Sequence, residues 1–126
     1  MRCSRYYNSK AKKRRLNFAV SKTSCGAVEY VRVARVSNLA SGIEQLKKKN
    51  IWVYAADMDG APWCKTDFSG GVALVVGNEG KGVSRLIKEK CDVTVSLPML
   101  GKVNSLNASV AASVIMYEVV KQRLGI

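Results

Sequence analysis

At 126 residues, 48% hydrophobic and 24% charged, the chain has the size and balance of one soluble globular domain, and no apolar run approaches the roughly 18 residues of a membrane helix. With no histidine, His-based general bases, Ser–His and Cys–His pairs and His-containing metal sites are excluded; Cys3, Cys25, Cys64 and Cys91 form no C-x-x-C pair, so they read as reduced thiols and no metal is expected. The net charge of +12 is uneven: residues 1–15 carry seven bases and no acid, 16–50 six bases and two acids, and 51–126 eight bases against seven acids.

The opening MRCSRYYNSKAKKRR shows neither helical nor strand periodicity and reads as a basic arm over residues 1–15. Such a block is either a solvated tail or the footprint of a polyanion binder. It is basic without an apolar signal core, so a cytoplasmic location is expected. Val28–Val36, rich in β-branched residues and interrupted by Arg32, predicts a strand with at least one exposed face. Ser37 and Asn38 can cap a helix carrying Leu39, Ile43 and Leu46, with Lys47, Lys48 and Lys49 in its last turn. Ile51–Ala56 predicts a short buried strand, and 57–71 a loop. Val72–Val76 predicts another strand, followed by a glycine loop and a short helix with Val83, Leu86 and Ile87 on one face. Val93–Leu97 predicts a strand closed by Pro98, and from Ser105 onward Leu106, Val110, Val114 and Tyr117 recur at helical spacing. Ala111, Ile115 and Val119 make a second apolar face on that helix. Strands alternating with helices indicate an α/β architecture with a largely parallel sheet.

Two loops follow apolar strands, where open α/β sheets bind ligands. Gly77-Asn78-Glu79-Gly80-Lys81-Gly82 has the spacing of neither a Walker loop nor a dinucleotide fingerprint, and Glu79 would repel a polyphosphate. A structural turn and a binding loop both satisfy it. In the second, Asn104, Ser105 and Asn107 open an otherwise apolar helix; they fit capping, and they also exceed what one cap needs.

Together the two segments, Ala73–Val83 and then Ser96–Met99 with Ser105–Ala111, resemble motifs 2 and 3 of the SpoU/TrmH family. These are S-adenosylmethionine-dependent RNA ribose 2′-O-methyltransferases of the SPOUT superfamily. The stretch Lys22–Glu29, followed by Asn38-Leu39-Ala40, looks like the branch that methylates guanosine ribose in large-subunit ribosomal RNA. The resemblance spans about residues 16–123 and implies a trefoil-knotted domain that pairs as a homodimer. It implies S-adenosylmethionine bound by backbone near Ala56, Gly77, Leu97, Met99, Ser105 and Leu106, with Glu79 and Asn107 in the active site. The implied partner is RNA, ribosomal RNA ahead of transfer RNA, with no metal and no membrane. The family's motif 1, an Asn and an Arg credited with activating the ribose hydroxyl, has no counterpart here. The resemblance therefore implies an N-terminally truncated domain occupying 16–126. A binding-only remnant of the same fold is the alternative.

Overall fold

The computed structural model of the chain describes residues 6–8, 18–78, 80–102 and 106–126, in two compact units, Met1–Gly42 and Ile43–Ile126. In the first unit, strand β1 (Tyr6–Asn8), helix α1 (Phe18–Thr23) and strand β2 (Val33–Arg35) follow one another, and β1 pairs in parallel with β2. The basic segment therefore contains a strand. A three-residue strand whose partner lies far along the chain leaves no periodic trace in its own sequence.

The expected strand over Val28–Val36 is corrected to Val33–Arg35. Cys25 and Gly26 take successive left-handed conformations, φ 49° and 79°, directly after α1. They turn the chain into a 3-10 helix over Ala27–Glu29, and Tyr30 beyond it is 91% exposed. β-branching at Val28 and Val31 does not outweigh that reversal.

Helix α2 (Leu39–Lys47) forms as its sequence predicts: the Asn38 side-chain oxygen accepts the Ser41 N–H at 3.2 Å, and Ile43 is buried. Asn50, left-handed at φ 56°, ends the turn and starts strand β3 (Ile51–Pro62). Strand β4 (Gly71–Val76), helix α3 (Arg85–Lys90), strand β5 (Val93–Ser96) and helix α4 (Ala108–Leu124) complete the second unit. The sheet order is β4-β3-β5, all parallel, so the expectation of an α/β fold holds. β3 is central and buried on both faces, with Val53 and Ala55 pointing one way and Tyr54 the other, which explains its continuous apolar run.

Tyr54 joins Phe68, Val95, Ile115 and Val119 in the core beneath α4, its ring 4.8 Å from that of Phe68. Gln122 of α4 latches the chain between β3 and β4, accepting from Phe68 N–H and donating to the Thr66 carbonyl, each at 2.9 Å. Of the two apolar faces expected on α4, the one through Ile115 and Val119 is buried, while Val110 and Tyr117 on the other are exposed.

The expected loop over 57–71 is also corrected, because β3 continues to Pro62. β3 pairs with β5 at Ala56↔Val95, leaves it, and returns at Ala61↔Val95. Gly60 makes the return possible: a Cβ there would lie 2.5–2.6 Å from the Thr94 and Val95 backbone. The Ser96 hydroxyl donates to the Gly60 carbonyl at 2.8 Å and fixes the re-entry.

Candidate functional site

Three parallel strands end on one edge of the sheet, and their register sets what meets there. Ala56 is level with both Val76 and Val95; Asp57 and Gly77 come one residue past that rung, and Leu97 two, beyond Ser96. Ala56, Gly77, Leu97 and Met99 are all half-buried. Of the residues predicted for the site, this edge brings together Ala56, Gly77 and Leu97, with Met99 two residues further along.

Leu106 stands just before α4 and is 41% exposed. Asn107 is the N-cap of α4: its side-chain oxygen accepts the Ser109 N–H at 2.9 Å and the Ser109 hydroxyl. The capping role open in the sequence is therefore filled. Glu79 and Ser105 lie outside the described residues.

The glycine loop closes on itself. Asn78 N–H donates to the Gly82 carbonyl at 3.1 Å, and Gly82 and Lys81 N–H donate to the Asn78 carbonyl at 2.9 and 3.3 Å. Gly80 and Gly82 take φ 86° and 62°, conformations that glycine adopts without strain. A Cβ on Gly77 would overlap the Gly82 and Val83 backbone, well inside van der Waals contact. Gly77 is thus required by the loop's own closure, whatever the loop binds.

Sequence reasoning missed the charged group beside this loop. Asp57 pairs with Lys88 of α3 at 2.7 Å, and the same ammonium reaches Asp59 at 3.0 Å. The Lys88 hydrogen bond holds the Asp57 carboxyl below the usual carboxylate range, helped by the Met58 and Val83 N–H groups and opposed by partial burial. Lys88 is pushed up in turn, chiefly by Asp57 and then by Asp59. The available signal was Asp57-x-Asp59 directly after the apolar run of β3, which the loop assignment concealed.

Two carboxylates around one ammonium leave the edge locally acidic, which suits a cationic group and disfavours a polyphosphate. Among the described residues no cluster of three or more Cys, Asp or Glu is placed to hold a metal ion. Two surface hollows, of about 330 and 440 Å³, lie against the 67–70 segment and against the exposed side of α4, and neither is lined by strand-end residues.

The family model described as the SpoU rRNA Methylase family matches residues 2–117. That match begins inside the basic segment, which the motif resemblance left out. The chain is 50% identical over 109 residues to YacO of Bacillus subtilis, a protein assigned to the TrmH family of tRNA/rRNA methyltransferases; the alignment covers 86% of this chain and 44% of YacO. It spans the same 44% of other curated relatives it matches. Among solved structures, the SpoU methyltransferase AviRb of Streptomyces viridochromogenes, in complex with its cofactor AdoMet (S-adenosylmethionine), superposes with a TM-score of 0.87 at 27% identity over 97% of this chain and 51% of AviRb. The TrmH/SpoU tRNA modifying enzyme of A. aeolicus does so with a TM-score of 0.83 at 31% identity, covering 96% and 61%.

Proposed function

The chain belongs to the SpoU rRNA methylase family, and from that premise we propose that it binds S-adenosylmethionine at the strand-end edge and methylates RNA at ribose 2′-hydroxyls, with ribosomal RNA as substrate. The observation that most supports this is the sheet register: Ala56 is level with Val76 and Val95, and Gly77 and Leu97 follow those residues by one and two positions. The residues present fit the cofactor. Ala56 and Gly77 have little side chain to screen the backbone there, and the half-buried Leu97 and Met99 offer apolar surface to a heterocycle. The acidic excess of Asp57 and Asp59 over Lys88 suits a positively charged ligand.

When bound, S-adenosylmethionine supplies an electrophilic methyl group carried on a cationic sulfur. The chain's own residues must then hold the ligand and manage the acceptor. Backbone groups at Ala56, Gly77, Leu97 and Met99, with Ser105 and Leu106 before α4, hold the cofactor. A ribose hydroxyl ionises far above neutrality, so methyl transfer to its oxygen needs a base to take the proton or a firmly oriented hydroxyl. With no histidine in the chain, we assign the base to Glu79 and the orienting hydrogen bond to Asn107.

The basic residues of the first 50, including the exposed Lys48 and Lys49, contact RNA phosphates in this reading, and each engaged duplex phosphate adds about 0.9 to the slope of log affinity against log salt. The bases of residues 1–15 add to that RNA-contacting charge beside the body of the methyltransferase domain over 16–126. The segment leading into α4 threads the trefoil knot, and the exposed Val110–Tyr117 face of α4 pairs with a second copy in a cytoplasmic dimer.

Calorimetry with S-adenosylmethionine and transfer of radiolabelled methyl groups to ribosomal RNA test the proposal together. Cofactor binding, with label recovered in alkali-stable dinucleotides, is the expected outcome, because 2′-O-methylation blocks cleavage of the adjoining phosphodiester. Absence of cofactor binding at millimolar concentration overturns the site. Binding without transfer selects the binding-only alternative.

A further inference from the structure

We propose that Asp57 is a positioning residue that tethers the glycine loop after β4 to the end of β3 and thereby sets the shape of the cofactor site; the inference rests on the cofactor reading above. The backbone brings Asp57 to the place where this is possible. Residues 57–60 leave the sheet between two pairings to the same Val95, so they stand out at the strand-end edge. The base of this excursion is fixed by Gly60 against the Thr94–Val95 backbone and by the Ser96 hydroxyl.

The Asp57 side chain does not turn to solvent. It is 19% exposed and meets three elements at once. Its Oδ1 accepts the N–H of Met58 at 2.7 Å, within its own strand. Its Oδ2 pairs with Lys88 Nζ of α3 at 2.7 Å. It also receives the Val83 N–H, and a Cβ built on Gly82 would stand 3.5 Å from Oδ2. Gly82 and Val83 are the returning limb of the glycine loop, the limb that Asn78 and Gly77 close against. The loop's own hydrogen bonds fix its internal shape; Asp57 and Lys88 fix where that shape sits relative to β3 and α3. Asp59, on the far side of the Lys88 ammonium at 3.0 Å, holds the lysine in place. Asp57 need not touch the ligand to act on it.

The test uses the full chain carrying Asp57→Ala, Asp57→Asn or Lys88→Met. Amide hydrogen exchange is measured without ligand, and S-adenosylmethionine affinity by calorimetry. Asp57→Ala should accelerate exchange at Gly82 and Val83 at least tenfold, leave Val53 and Ala55 in the core of β3 unchanged, and weaken cofactor binding about tenfold. Asp57→Asn keeps an acceptor for Val83 and should fall between it and wild type, a graded rescue that general destabilisation would not give. Unchanged loop exchange in both Asp57 variants overturns the tether, as does equal acceleration of the β3 core. Should Asp57→Ala fail to fold, Asp57→Asn and Lys88→Met carry the same comparison. If the wild-type chain shows no binding heat, the cofactor reading fails, and ligand-free exchange still decides the tether.

Discussion

Substituting Gly77 by alanine separates steric closure of the glycine loop from backbone strain. Gly77 is not among the residues with positive φ, so an alanine can adopt its conformation; what it cannot do is share space with the Gly82 and Val83 backbone. To admit the methyl group the loop must open, giving up the three backbone hydrogen bonds between Asn78 and Lys81–Gly82. At about 0.5–1.5 kcal/mol net each, and with water able to replace them at this exposed loop, the cost is about 2 kcal/mol. A ligand that accepts only the closed loop then binds up to roughly 30-fold more weakly, the arithmetic of a depleted competent state. Gly80→Ala is the control: at φ 86° it has nothing within 4 Å, so it incurs only left-handed strain of about 1 kcal/mol. Calorimetry with S-adenosylmethionine on both variants, alongside melting curves, reads the difference. Wild-type affinity in Gly77→Ala, or a larger loss in Gly80→Ala, would refute the steric argument.

Four further outcomes are expected. Ile115→Ala removes a side chain 1% exposed in the core and should cost about 2–5 kcal/mol, lowering Tm by roughly 8–20 °C at about 4 °C per kcal/mol; a drop of only a degree or two would show that α4 contributes little to the core. Burial pushes the Cys91 thiol up to about 11, so iodoacetamide at pH 8 should label the exposed Cys25 and Cys64 and spare Cys91, as peptide mass mapping would show. Asp92 is pushed up by partial burial, yet the Val53 N–H at 2.8 Å and Lys47 at 2.9 Å bring it below the usual range; its stabilising contribution is thus present above the unfolded carboxyl pKa and lost as pH falls through the folded one. Urea midpoints should therefore fall below about pH 4, and less steeply in Asp92→Asn. Tyr117→Asp, on the exposed face of α4, should shift sedimentation from dimer to monomer while leaving Tm within a few degrees; a variant that still sediments as a dimer places the interface elsewhere.

The elements legible in the sequence are those whose signal is local. Ile51–Ala56 and Val72–Val76 read as strands because a central or covered parallel strand is apolar throughout, and Asn38 marks the start of α2 because its side chain serves the adjacent backbone. What stayed hidden depends on partners distant in the chain. β1 is defined by β2, and the extension of β3 to Pro62 by β5, across intervals that carry no periodicity. Val28 and Val31 pointed to a strand that two left-handed residues upstream forbid. At the site, Gly77 and Leu97 were legible only through the resemblance of the motifs that contain them, each of which is local in the chain. Asp57 was not legible, since its importance comes from Lys88 and Val83, which only the folded sheet brings to it.

The double pairing of Val95 has an evolutionary consequence. Because both flanks of the 57–60 excursion refer to one residue of β5, the sheet does not count how many residues lie between them. Gly60 is held by the backbone it crosses, so length change is confined to the three positions before it. Descendants of this sequence can lengthen or shorten that protrusion without disturbing a single rung on either side. It is a place on the strand-end edge where, provided Asp57 is kept, the molecule can alter its reach toward a substrate while its framework stays as it is.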